Sequence, residues 1–135
     1  METNKGDPRD EYKDLSDNMR HYGNMRFAQL TLFGALTAGL LTVVFTTDPR
    51  PSDLVRRLLK ACGVVTAVVF WVMEERAGDY WHHYRRRAVK LEEQLGYQQY
   101  TTRPTRWLAN ATNAVRMLYA FIFLFWVMTL CCLDC

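Results

Sequence analysis

The stretch FAQLTLFGALTAGLLTVVFTT, Phe27 to Thr47, runs 21 residues without a charged side chain. A bilayer core takes about 20 apolar helical residues to cross. The stretch therefore predicts a membrane-crossing helix, and the rest of the chain must be arranged around it. A second run, Met117 to Leu133, holds 17 uncharged residues directly after Arg116. Between them lies a shorter apolar segment, roughly Leu58 to Met73, of which only the 13 residues from Ala61 to Met73 are free of charge. So short a run does not span on its own. With Leu58 to Lys60 included, it is expected to cross with help from snorkelling or local thinning. The mean hydropathy of −0.18 hides these runs, because the segments between them are dense in charge.

A chain of 135 residues has room for one domain. The expected fold class is all-α: an integral membrane protein with three transmembrane helices, helical cytoplasmic extensions and an oligomeric state. Three helices alone bury polar groups poorly in lipid, which makes self-association the default. The net charge of +3 comes from 17 basic and 14 acidic residues mixed together. A nucleic-acid arm would be a basic run with few acids, so no nucleic-acid partner is expected. Met1 to Arg26 holds six acids and five bases and no apolar core, unlike a cleaved signal, so the first span should stay in the mature protein.

Outward from the first span, residues 10–26 read as an amphipathic helix. Tyr12, Leu15, Met19 and Tyr22 recur at spacings of three and four. Gly23 is expected to loosen its junction with the first transmembrane helix, residues 27–47. Asp48-Pro49-Arg50-Pro51 cannot continue a helix and predicts a tight hairpin, with Ser52 or Asp53 capping the second helix. The second transmembrane helix is placed at residues 54–73, with Gly63 and Ala67 toward the first span, and continues as a cytoplasmic helix to residue 96. Along that extension Ala77, Trp81, Tyr84, Ala88, Leu91 and Leu95 form a coiled-coil-like seam. Its mate is either the N-terminal helix or a neighbouring subunit, so these six are oligomerisation candidates. Arg85, Arg86, Arg87, Lys90, Glu92 and Glu93 fall on the other faces. Gly78 is a weak point and Gly96 a natural stop. A linker at residues 97–104 leads to a third transmembrane helix, residues 105–133, capped by Thr105.

Lys and Arg counts set the orientation. The N-terminal tail and the segment from Arg76 to Arg106 together hold twelve, the hairpin at most four and the C-terminal tail none. The positive-inside rule puts the N-terminus in the cytoplasm and the C-terminus outside a multi-pass protein of the cell membrane.

Small residues four apart let helices approach closely in lipid. Gly34, Ala38 and Thr42 form one such row, and Thr31, Ala35 and Gly39 another. Gly34 and Gly39 are oligomerisation candidates; packing within one subunit explains them equally well. Thr31, Ala35, Ala38 and Thr42 are candidates to line a pore. Glu74 and Glu75, just past the second span, suit a cation-attracting mouth or ordinary interfacial acids. Arg116 shares a face with Asn113, close to Asn110. A cation there costs about 2.5–3.5 kcal/mol unless it snorkels or faces water, so both residues are pore-mouth candidates.

Catalytic chemistry has little to stand on. His82 and His83 point about 100° apart on a helix and lack a ligand at i+4, so no metal is expected, and no histidine lies within a span to hold a haem. Cys62, Cys131, Cys132 and Cys135 are present, the last two as C-L-D-C without a flanking element to activate a thiol. Phosphate-loop, nucleophile-elbow and zincin motifs are missing. The expectation is no enzyme and no cofactor.

A membrane hairpin followed directly by a charged helix ending Tyr84-Arg85-Arg86-Arg87-Ala88-Val89-Lys90-Leu91-Glu92-Glu93-Gln94-Leu95-Gly96 resembles small bacterial membrane proteins of the SLATT and octameric RipA-type families. The resemblance covers about half the chain and rests on layout. It implies a self-assembling membrane protein, a pore-forming effector of a bacterial antiphage defence system. The expected function is a homo-oligomeric, pore-like protein whose partners are membrane lipids and further copies of itself. The first alternative is a non-conducting scaffold docking a cytoplasmic protein partner. The second is a membrane thiol-redox protein using Cys132 and Cys135.

Overall fold

The computed structural model describes residues 7–102 and 111–132. They form three helices and, among the described residues, no strand: α1 (Pro8–Phe45), α2 (Asp53–Leu95) and α3 (Ala111–Cys132). Thr105, Asn110 and Cys135 lie outside the described residues, and so does the side chain of Cys132.

The start of α1 is set locally. Asp7 accepts a hydrogen bond from the Arg9 amide at 2.9 Å, and Pro8 occupies the first turn, where its missing N–H is no loss. Asp10 and Glu11 complement the positive end of the helix. The expected loosening at Gly23 does not occur: α1 runs unbroken for 38 residues, about 57 Å at 1.5 Å per residue. It ends where the Thr46 amide and hydroxyl both donate to the Thr42 carbonyl, at 2.9 and 2.7 Å, ahead of the two prolines.

α2 runs 43 residues, and Ser52 stands at its N-cap without a side-chain hydrogen bond. Asp53 instead pairs with Arg56 at 3.1 Å. At the far end Gly96 takes a left-handed φ of 73° while its amide and that of Tyr97 donate to the Glu92 carbonyl at 2.8 and 3.2 Å. That conformation suits glycine and closes the helix.

α1 and α2 form a long antiparallel hairpin. α3 also runs antiparallel to α2, with Arg116 beside Glu75 at one end and Lys60 beside Thr129 at the other. Two apolar clusters hold the three together. The first joins Leu15 and Met19 to Ala88 and Leu91, flanked by Tyr12, Trp81 and Tyr84. Trp81, Tyr84, Ala88 and Leu91 of the expected seam are thus mated by α1 of their own chain. The second joins Phe33, Ala67, Phe70 and Tyr119, one or more from each helix. The Phe33 and Tyr119 rings meet edge to face at 4.7 Å. Gly63 faces α3 rather than α1: a Cβ there would lie 2.4 Å from the Trp126 indole, so glycine admits that ring.

Among the described residues two helices, not three, are long and apolar enough to cross a membrane: α1 and α3. α2 falls short because Arg56, Arg57 and Lys60 precede its apolar segment and Glu74, Glu75 and Arg76 follow it. Only 17% of the apolar window of α1 or α3 is buried inside the chain. Leu32, Leu36 and Val43 of α1 and Met117, Phe121 and Leu124 of α3 are exposed, and so are Val65, Val69 and Val72 of α2.

Candidate functional site: a charged belt, an uncovered helix face and a carboxylate clamp

The three helices meet a belt of charge at one level. Glu74 is 2% exposed and accepts from Arg26 Nε at 2.8 Å and again from Arg26 Nη2. The same Nη2 donates to Thr112 Oγ1 of α3 at 3.2 Å. Glu75 accepts from Arg116 Nε at 2.6 Å, from Arg116 Nη2, and from the Trp71 indole N–H at 3.2 Å. The Arg116 hydrogen bonds hold the Glu75 carboxyl below the ordinary carboxylate range, against the opposing effect of burial. Within one chain Glu74 and Glu75 therefore brace neighbouring helices, and Arg116 is satisfied by a carboxylate one helix away. Asn113 is half-buried one turn before Arg116.

The small-residue row lies elsewhere. α1 turns Phe33, Thr37 and Val44 inward. At about 100° per residue, Thr31, Ala35, Ala38 and Thr42 fall on the opposite side, and all four are exposed. Thr31 and Thr42 donate back to the carbonyls of Phe27 and Ala38, at 3.0 and 2.9 Å. Gly34 and Gly39 flank this row, and a Cβ on either would meet nothing within 4 Å. The described residues leave this face exposed.

No protein-family model, curated protein or solved structure matches this chain.

Two polar features escape a reading by periodicity. Lys60, expected to snorkel outward, is 2% exposed, and its Nζ donates to the Thr129 carbonyl at 2.9 Å. Glu92, expected on an outer face, is 1% exposed. It accepts from Tyr12 OH at 2.9 Å, the Tyr100 amide at 2.8 Å, the Thr101 amide at 3.1 Å and Thr101 Oγ1 at 2.6 Å. One carboxylate thus ties the chain after α2 to the start of α1. Arg85 adds a bond to the Tyr100 carbonyl at 3.1 Å, and Arg87 pairs with Glu11 at 2.7 Å. The signal in the sequence was position: Glu92 follows Ala88 by four and Leu91 by one, on the edge of the apolar seam, with a threonine just beyond the stop at Gly96.

Burial pushes the Glu92 carboxyl up, but the bonds from Thr101, Tyr100 and Tyr12 outweigh it and hold it below its ordinary value of 4.5. Burial and the Glu92 carboxylate together push the Tyr12 hydroxyl up, so it stays a donor. A depressed folded pKa means that the clamp's stability is complete above pH 4.5 and is lost as pH falls through the lower folded value. Glu92→Gln should lower stability by about 2 kcal/mol at neutral pH, since a charge-assisted acceptor is lost. Near-ultraviolet dichroism of the Tyr12, Tyr97 and Tyr100 cluster would follow both effects. An unchanged acid transition in the glutamine variant would show that other groups drive it.

Trp81, Tyr84 and Leu95 of the seam are half-buried and Ala77 buried. His82 and His83 are exposed, and among the described residues no three metal-ligating side chains gather. Cys62 and Cys131 are free thiols.

Proposed function

We propose that this chain is a multi-pass membrane protein that self-assembles into a ring around a pore-like path. The belt at Arg26, Glu74, Glu75 and Arg116 marks the cytoplasmic boundary, and the apolar zones of all three helices lie in lipid. α2 crosses with the other two because its charged ends sit at the two boundaries, and Lys60 is satisfied by α3. The residues beyond the belt, 8–25 and 76–102, form the cytoplasmic hairpin. The N-terminus is inside and the C-terminus outside, consistent with α1 and α3 running parallel to each other.

One observation carries the assembly: the α1 face opposite the core is small, regular and uncovered. Gly34 and Gly39 on its two edges suit contacts with a neighbour on either side, as a closed head-to-tail ring requires. Thr31, Ala35, Ala38 and Thr42 then face the axis. A lining of methyl groups and self-satisfied hydroxyls gates by dewetting. Light scattering of the detergent-extracted particle should give a multiple of 15.8 kDa, and planar bilayers should show conductance. A single-chain particle would end the shared-pore reading.

A second reading has its own support. The cytoplasmic hairpin is braced by Glu92 and by Arg87–Glu11, while His82, His83, Arg86 and Lys90 remain exposed on it. The exposed Arg86 and Lys90 on this braced arm suit docking of an acidic cytoplasmic protein. An oligomer that stays electrically silent would favour this scaffold.

A further inference from the structure

A groove of about 420 Å³ runs between α2 and α3 across the level of the charged belt. That volume is in the range of small-ligand sites, about 300–1,000 Å³. Val68, Val72, Glu75 and Asp79 follow one another at spacings of four, three and four, so they share a side of α2. They extend over about 16 Å of helix.

The two ends differ in chemistry. On the span side of the belt the walls are Val68, Val72, Phe123 and the Trp71 ring, whose N–H is already held by Glu75. On the cytoplasmic side stand Arg76 and Asp79, both exposed. Between them the Glu75 carboxylate is neutralised by Arg116. Neither Arg76 nor Asp79 makes a hydrogen bond or ion pair within the described residues, although they lie three apart on one helix and Asp79 is near enough for its charge to act on Arg116.

We infer that this groove binds one phospholipid with a zwitterionic, primary-ammonium headgroup, of the phosphatidylethanolamine class. The inference rests on the membrane reading above. An acyl chain lies along Val68, Val72 and Phe123. The phosphate meets Arg76, whose planar fork suits phosphate oxygens. The ammonium meets Asp79, to which it offers three N–H donors. The local charges sum to zero, so a net-anionic headgroup would leave Asp79 facing like charge. A trimethylated headgroup has no N–H to give the carboxylate.

The test is native mass spectrometry of the full chain in mild detergent with equal amounts of dioleoyl phosphatidylethanolamine, phosphatidylcholine and phosphatidylglycerol. The wild type should retain the ethanolamine lipid about tenfold over the choline lipid, one charge-assisted hydrogen bond's worth of discrimination. Arg76→Gln/Asp79→Asn should bring the ratio to about one with helicity unchanged, because both side chains are exposed. Asp79→Asn alone should move the preference to the glycerol lipid. Equal retention by the wild type, a wild-type preference for the glycerol lipid, or an ethanolamine preference that survives the double change would each overturn the proposal. If such results come from a particle that needs detergent, the membrane reading stands and this site alone falls. A chain that stays in solution without detergent removes both.

Discussion

Gly34→Leu/Gly39→Leu is expected to reduce the detergent-extracted particle to one 15.8 kDa chain and to abolish conductance. The fold and the assembly should respond in opposite directions. Among the described residues a Cβ on either glycine meets nothing within 4 Å and both positions are exposed, so two leucines are expected to fit the fold. Each change should even strengthen α1, by about 0.8 kcal/mol from helix propensity alone. Between copies the same leucines hold two backbones apart, and close approach is what small residues contribute in lipid. Stability should thus rise while assembly is lost. An unchanged particle mass would mean that the α1 face meets lipid and that copies, if they meet, do so elsewhere. Gly23→Leu serves as a control on the same helix, since a Cβ there also meets nothing within 4 Å but Gly23 precedes the apolar run that begins at Phe27.

Helices were the legible part of this chain because their signals are local. The prolines after Asp48, the glycine at 96 and the stripe Tyr12, Leu15, Met19 all act within a few residues, and the corresponding turn, stop and buried face are present. What local patterns do not contain is which helix comes to lie on which face. Gly63 read as a small patch toward α1 but receives Trp126 of α3. The small-residue row on α1 allowed packing inside or outside the subunit, and only the position of Phe33 and Thr37 on the other side shows that the described residues leave it exposed.

Buried charge was the least legible. Glu92, Glu74 and Lys60 each read as solvated or interfacial, since an unpartnered charge in a core is prohibitive. Glu74 and Lys60 find partners 48 and 69 residues away, at Arg26 and Thr129, and Glu92 reaches Tyr12, 80 residues away, besides Tyr100 and Thr101 close by. No spacing rule reaches that far. The candidate mouth shows the same limit: Glu74 and Glu75 were adjacent acids beside Arg76, whereas they reach Arg26 on α1 and Arg116 on α3.

The pair of Arg26 and Glu74 should therefore dominate stability at the belt. Glu74→Ala removes an acceptor that is 2% exposed and leaves a guanidinium beside apolar helices. Breaking a buried pair from one side typically costs about 3–5 kcal/mol. Arg26 is one-fifth exposed and keeps part of its solvation, which places the expected loss at about 3 kcal/mol. Replacing both partners, as Arg26→Met/Glu74→Leu, leaves no orphaned charge and should recover most of that loss. The comparison separates pairing from packing, since both variants remove the same carboxylate. Denaturant unfolding in detergent, followed by helicity, gives the two values. Glu75→Ala is the internal reference: its carboxylate and Arg116 are both more than one-third exposed, so its effect should stay at or below about 1 kcal/mol. If Glu74→Ala unfolds no more easily than Glu75→Ala, the belt does not anchor α1 against α2. The register of α1 against α2 would then rest on the apolar contacts of Phe33 with Ala67 and Phe70.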